Sequence, residues 1–250
     1  MRNTFLKKLK NKIKPYQKDK TSKKEQIAKM FDNIAARYDF LNHFLSLGID
    51  IIWRKIAVRE IAKINPKIIL DVATGTGDLA IEISKLKPKK IIGIDISNNM
   101  LNVGRKKMIK KSLDHLIDMQ YGDSENLNFN DNTFDAITAG FGVRNFENLD
   151  KGLKEIYRVM KCGGKLAILE PSEPKIFPFK QFYGLYFKGI LPLLGKFFSK
   201  DNSAYEYLPN SVVEFPSREA FVRELEKVGF KDSKFKSLTF GIAALYTASK

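Results

Sequence analysis

Ile68-Ile69-Leu70-Asp71-Val72-Ala73-Thr74-Gly75-Thr76-Gly77-Asp78 is the stretch whose reading decides the fold. A short apolar run that ends in an acid and opens onto Gly-Thr-Gly is the pattern of a buried parallel strand whose carboxyl end meets a ligand. Glycines 75 and 77 let the backbone turn sharply and approach a ligand closely, and the amphipathic segment from Asp78 to Leu86 then supplies a helix N-terminus. The next apolar run, Ile91-Ile92-Gly93-Ile94-Asp95, ends in an acid about 20 residues beyond the turn, the separation expected of a carboxylate that accepts both ribose hydroxyls. A third run ends in Tyr121-Gly122-Asp123-Ser124, where the acid is placed to accept from an adenine amino group.

Outward from this core the pattern alternates. Strands are predicted over 67–72, 90–95, 116–121, 134–139 and 165–170, with helices over 78–86, 98–111 and 149–160, and Lys161-Cys162-Gly163-Gly164 as the turn into the fifth strand. A helix over 217–228 and two strands over 234–239 and 242–248, joined through Gly241, complete the chain. The fold class expected is α/β: a Rossmann-like, doubly wound, mostly parallel seven-stranded sheet with an antiparallel C-terminal strand pair. Two helices before the first strand, within 25–64, read as an N-terminal helical cap, and 25–250 reads as a single domain. An aromatic insertion lies at about 174–212. Its run Ile176–Phe198 is broken by Pro192 and by Lys180, Lys188 and Lys196, and reads as core, a dimer face or a lid.

Composition narrows the chemistry. The formal charge of +16 is concentrated in residues 1–24, which hold ten Lys/Arg and one acid, so the remaining 226 residues carry only +7. A nucleic-acid partner is therefore not expected, and no groove-reading motif supports one. In the tail, Phe5, Leu6, Leu9 and Ile13 fall at helical spacing among lysines, a pattern able to lie on an anionic membrane. Isolated helices this short are marginal in water, so residues 1–24 read as a basic, disordered tail. One cysteine and two histidines exclude an intrachain disulfide and leave no zinc set, so no metal is expected. There is no signal-peptide pattern and no apolar span of membrane length, so the expected location is the cytoplasm, with contact at the inner face of the membrane.

The fingerprint G-x-G-x-x-G is not met, because position 80 is Ala, and Asp71 adds an acid where a pyrophosphate would want none. A cationic adenosyl donor, S-adenosylmethionine, fits these strand-end acids better than NAD. Asp71, Gly75 and Gly77 belong to its pocket by their place in the turn.

Tyr38-Asp39-Phe40-Leu41-Asn42 with Ser46, Gly48 and Trp53, then Phe141-Gly142-Val143-Arg144-Asn145, then Arg158-Val159-Met160-Lys161 through Gly163-Gly164 to Leu169-Glu170 and Ser172 carry a resemblance. Over roughly 24–250 the chain resembles class I S-adenosylmethionine-dependent methyltransferases, and more narrowly the quinone-biosynthesis C-methyltransferases acting on demethylmenaquinol and polyprenyl-methoxybenzoquinol. It departs from that pattern at Leu41, where Met is usual, at Asp50, where His is usual, and at Cys162, where Pro is usual.

By that resemblance Thr74, Asp95, Asp123, Ser124 and Gly140 look like cofactor contacts. The reaction implied is transfer of a methyl group to a ring carbon of a prenylated quinol beside a hydroxyl, in menaquinone or ubiquinone biosynthesis, with demethylmenaquinol the first-ranked substrate. Arg144 is implied as a stabiliser of the developing phenolate, Asn145 and Tyr38 as further catalytic residues, and Asn42 as a substrate contact. His43, Asp39 and Asp50 are the candidates for a general base. A prenylated substrate also calls for an apolar path, which the aromatic insertion and Tyr205–Leu208 are placed to supply beside the membrane. A homodimer and a noncatalytic or RNA-directed protein on the same fold are the other expectations carried forward.

Overall fold

A computed structural model describes residues 13–185 and 203–250. The seven-stranded sheet has the order β3-β2-β1-β4-β5-β7-β6. Its strands are β1 (Ile68–Val72), β2 (Lys90–Asp95), β3 (Ile117–Tyr121), β4 (Phe134–Gly140), β5 (Met160–Pro171), β6 (Lys231–Leu238) and β7 (Ala243–Ser249). β1 pairs in parallel with both β2 and β4, so Ile69, Leu70, Asp71 and Val72 are buried on both faces, as their continuous run requires. β7 alone runs against its neighbours, pairing antiparallel with β5 and with β6. The expected C-terminal pair is therefore present, with β7 inserted between β5 and the edge strand β6.

Helices cover both faces. α4 (Asp78–Ser84), α5 (Asn98–Lys110), α6 (Leu149–Val159) and α9 (Glu219–Val228) pack their apolar stripes onto two cores, one around Leu70, Phe134 and Tyr246 and the other around Ile69, Ile83 and Ile91. Side-chain caps fix where two of them start: Ser97 accepts from the Met100 amide at 3.2 Å, and Asn148 from the Lys151 amide at 3.1 Å. Each such cap is worth about 1 kcal/mol.

Three helices rather than two make the cap: α1 (Lys23–Ile34), α2 (Tyr38–Leu45) and α3 (Ile49–Ala62). The single periodic run beginning at Glu25 is broken by a tight 3-10 turn at Ala35–Arg37, which starts a new helix at Tyr38. Leu47 and Gly48, with φ of 52° and 74°, then turn the chain into α3. α1 begins at Lys23 with a capping box between Ser22 and Glu25, so Lys23 and Lys24 belong to the cap and not to the tail. Ile13 and Tyr16 also pack against the small core formed by Ile27, Met30, Leu41 and Tyr207. The tail residues 1–12 lie outside the described residues, as does 186–202 of the aromatic insertion. The described parts of that insertion are α7 (Phe179–Leu185) and α8 (Ser203–Glu214).

β5 starts five residues earlier than predicted. Met160 already pairs with Phe134, and the register then shifts before Ala136 meets Lys165. Lys161–Gly164 is thus an irregularity within the strand, with Gly163 at φ 76°, instead of a turn before it.

Candidate functional site

The sheet order reverses between β1 and β4, and ligands in such sheets sit outside the carboxyl ends at that point. The backbone marks the place: Ala73 and Phe141, immediately past β1 and β4, both have positive φ, 53° and 62°. Such values are uncommon away from glycine and persist where surrounding structure enforces them. Gly142 is needed beside them, because a Cβ there would lie 2.4 Å from that of Ala73.

A cavity of about 60 Å³ opens at this crevice, and Gly75, Asp95, Asp123, Ser124, Gly140 and Asn145 all line it. Asp95, at the end of β2, accepts from the Gly75 amide and from the Ser97 amide, each at 2.8 Å. Burial pushes the carboxyl up to about 6 despite these bonds and a further one from the Ile96 amide. A carboxylate held by the glycine turn itself fits the ribose of an adenosyl group, and a second acid in the same cavity, Asp123, fits its base.

Asp71 and Thr74 do not line this cavity. They line a smaller one behind it, where both oxygens of Asp71 are taken, by the Thr138 and Thr74 hydroxyls at 2.6 Å each. Burial pushes Asp71 up to about 6 as well. Asp71 thereby orients Thr74, and this smaller cavity shares Ala73, Gly75 and Gly140 with the first. Gly77 lines none of the three cavities at the crevice. Its need is conformational, since φ is 85° and a Cβ would come 2.4 Å from Cε of Met108.

Beneath the cap lies a larger cavity of about 390 Å³, walled by apolar side chains including Leu41, Leu45, Trp53, Phe179 and Val212. Its polar groups are few. Asn42 lines it, and the buried Asn42 Nδ2 has no hydrogen-bond partner among the described residues. Arg144 lines it too, and is not on the surface: its side chain is 6 % exposed, and Nη1 donates to Glu170 Oε2 at 2.9 Å and to the Phe141 carbonyl. Glu170 is wholly buried, and its other oxygen accepts from the Val143 amide at 2.6 Å. Burial raises the Glu170 carboxyl, and the guanidinium opposes that rise. Asn145 lines the smaller cavity instead, with Oδ1 accepting from Tyr207 at 3.1 Å.

Tyr38 lines all three cavities. Its phenol is pushed up to about 12 by burial, so it remains a proton donor at neutral pH.

The three candidate bases fall into one polar network between cap and glycine turn. His43 Nδ1 lies 2.8 Å from Asp50 Oδ2 and its Nε2 lies 3.3 Å from Asp78 Oδ2. Asp50 also accepts from Ser46 at 2.6 Å and pairs with Arg54. Burial alone would raise the Asp50 carboxyl, but Ser46 and Arg54 hold it below the usual value, which makes it a poor base. Asp39 is bound to Thr76 and, at 2.5 Å, to Lys107. These groups fasten α2 and α3 onto the turn; Asp50 also lines the larger cavity, but its oxygens are engaged by His43, Ser46 and Arg54.

Sequence reasoning missed Lys24, Glu170 as the partner of Arg144, and the Arg54 and Lys107 cations. Lys24 sits beside Ile27 and Phe31 in the wall of the smaller cavity and its Nζ is 2.6 Å from Asp123. The signal available was the capping box at Ser22, which brings Lys24 into a helix.

The sequence profile of the ubiE/COQ5 methyltransferase family matches residues 19–250. The demethylmenaquinone methyltransferase of Bacteroides fragilis is 53 % identical over 96 % of the chain and 98 % of its own length. The ubiquinone/menaquinone biosynthesis C-methyltransferase of Geotalea daltonii is 49 % identical over 92 % of the chain and 98 % of its own. Among solved structures, a putative S-adenosyl-L-methionine-dependent methyltransferase from Methanococcus maripaludis superimposes with a TM-score of 0.58 at 22 % identity, covering 94 % of this chain and 96 % of that one. That last likeness speaks to the fold, and it agrees with the doubly wound sheet.

Proposed function

The chain belongs to the ubiE/COQ5 methyltransferase family, and on that premise we propose that it methylates a ring carbon of a prenylated quinol, with S-adenosylmethionine as donor. Demethylmenaquinol is the acceptor favoured, because relatives named for that activity align over nearly their whole length. One observation carries the reading: the small acid-lined cavity and the large apolar one share the walls Phe31, Tyr38 and Phe141, so a donor in one meets a ring in the other. The noncatalytic and RNA-directed alternative has no such support.

Asp95, Asp123, Ser124, Gly75 and Gly140 are the residues that would hold the adenosyl group. The donor supplies a methyl group on a positively charged sulfur, which acids nearby favour and a pyrophosphate-type site would not. Methyl transfer to the ring carbon would leave neutral S-adenosylhomocysteine, with the displaced ring proton passing to water. The protein's share is positioning and charge. Arg144 faces the ring with its charge balanced by Glu170, and stabilises negative charge developing on the quinol oxygen. Asn42 offers to a ring oxygen the Nδ2 that has no partner among the described residues, and the Tyr38 phenol donates at the junction of the cavities. The apolar wall receives the prenyl tail.

Methyl transfer from labelled S-adenosylmethionine to a demethylmenaquinol with a short prenyl chain tests the reading. Binding of S-adenosylhomocysteine without any transfer to the quinol would overturn the acceptor assignment.

Contact with the membrane face is part of the same proposal. It is supported by the basic residues before Pro15 and by exposed Ile176, Phe177 and Phe240 near the large cavity, where Phe240 stacks at 3.8 Å on Phe179 of its wall. Among the described residues no helix is long and apolar enough to cross a membrane, so contact would be peripheral. Flotation with anionic vesicles, with and without residues 1–20, decides the tail's part in it; equal recovery of both forms in the soluble fraction sinks it.

A further inference from the structure

We propose that Lys24 of α1 reads the base of the adenosyl donor together with Asp123, so that the cap helix sets base selectivity. The inference rests on the reading of the smaller cavity as an adenosyl site.

Lys24 Nζ lies 2.6 Å from Asp123 Oδ2 and 3.4 Å from Glu125 Oε2, and all three residues line that cavity. The remaining oxygens of the two acids are already used by the backbone. Asp123 Oδ1 accepts from the Glu125 amide at 2.9 Å, and Glu125 Oε1 accepts from the Glu147 and Asn148 amides at 2.8 and 3.0 Å. Lys24 therefore sits on the one oxygen of Asp123 that faces no backbone donor. Partial burial works to lower the ammonium's pKa, but the bond to Asp123 and the charge of Glu125 hold it above its usual value. The cavity thus presents a fixed anionic acceptor directly beside a fixed cationic donor.

The Watson–Crick edge of adenine carries the complementary pair, an amino donor at N6 next to an acceptor at N1. Hypoxanthine reverses both, with an acceptor at position 6 and a donor at N1, and meets like against like on each side. α1 is held in register for this work by Lys23, whose amide donates to Glu147 at 3.0 Å and whose Nζ donates to the Phe146 carbonyl at 3.1 Å.

Calorimetric binding of S-adenosylhomocysteine and S-inosylhomocysteine provides the test, with no turnover needed. The wild-type chain is expected to prefer the adenosyl compound by tenfold or more. A hydrogen bond from a charged donor is worth a factor of about 10 to 100 when desolvated, and the pair here is partly exposed, at 30 % and 26 %. Lys24→Met should accordingly cut the preference about fivefold, and Lys24→Arg should keep most of it. A purely structural role for Lys24 would weaken both compounds alike; an unchanged ratio in Lys24→Met therefore overturns the proposal. So does a wild-type chain that binds both equally. Failure of the wild type to bind either compound would instead overturn the adenosyl-site reading itself.

Discussion

Cofactor affinity should fall in acid because of Asp95. Its carboxyl is pushed up to about 6 by burial, the amides of Ser97 and Gly75 offsetting only part of that cost. Ribose hydroxyls donate best to the ionised form, so binding follows the ionised fraction. At pH 5 that fraction is about one in eleven, against nearly all at pH 7.5, which weakens binding about tenfold, or about 1.4 kcal/mol. For folding the sign is opposite to that of a salt-bridged acid. The folded chain holds this proton where the unfolded chain has released it, so the stability contribution is full below about pH 4 and is lost as pH rises through about 6. Calorimetric titration of S-adenosylhomocysteine at pH 7.5, 6 and 5 measures the effect without involving the sulfonium charge. Asp95→Asn is the control: it should bind more weakly at pH 7.5, because an amide cannot accept from both backbone donors, and it should lose the Asp95 part of the pH slope. A variant that keeps the wild-type slope, or a wild type with no slope, refutes the assignment.

Asn42→Leu replaces a buried donor with no partner among the described residues, so the melting temperature should hold or rise while KM for the quinol increases; a fall in stability with KM unchanged would mean that Asn42 serves packing. Arg144→Met strands the buried Glu170 and should cost about 3–5 kcal/mol in chemical denaturation. Adding Glu170→Gln should recover most of that stability but not the transfer rate, and recovery of both would remove Arg144 from the chemistry. Gly77→Ala, at φ 85° and with Met108 2.4 Å from the new Cβ, should lose more stability than Gly75→Ala, where the space is open and about 1–2 kcal/mol of backbone strain is the main cost. Gly75→Ala should lose more affinity for S-adenosylhomocysteine, since Gly75 lines the cavity and Gly77 does not.

Local pattern carried much of this molecule. A strand buried on both faces is mostly apolar, so Ile68–Val72 announced a parallel sheet, and the acids at 71, 95 and 123 stood within two residues of strand ends. The glycine turn declared its own conformation, because the positive φ of residues 75 and 77 is one that glycine adopts without steric cost.

Sequence spacing did not distinguish which of those acids faces a ligand. Asp71 lies opposite Gly93, two positions short of Asp95 on the neighbouring strand, and Thr138, 67 residues away, claims an oxygen of Asp71 while Asp95 remains at the cavity. Arg144 as a buried ion pair, Lys24 over Asp123 and the fastening of His43, Asp50 and Asp78 likewise join groups distant along the chain. Strand order, which sets β1 beside β4, and the packing of the cap across their ends bring these groups together. The sequence determined the sheet and the turn by short-range periodicity and backbone sterics, and the class of donor by the acids placed at the strand ends. Only the tertiary structure decided which charges are paired, which polar groups are left for a ligand, and that the two cavities meet at Tyr38, because burial and partnership are properties of the packed whole.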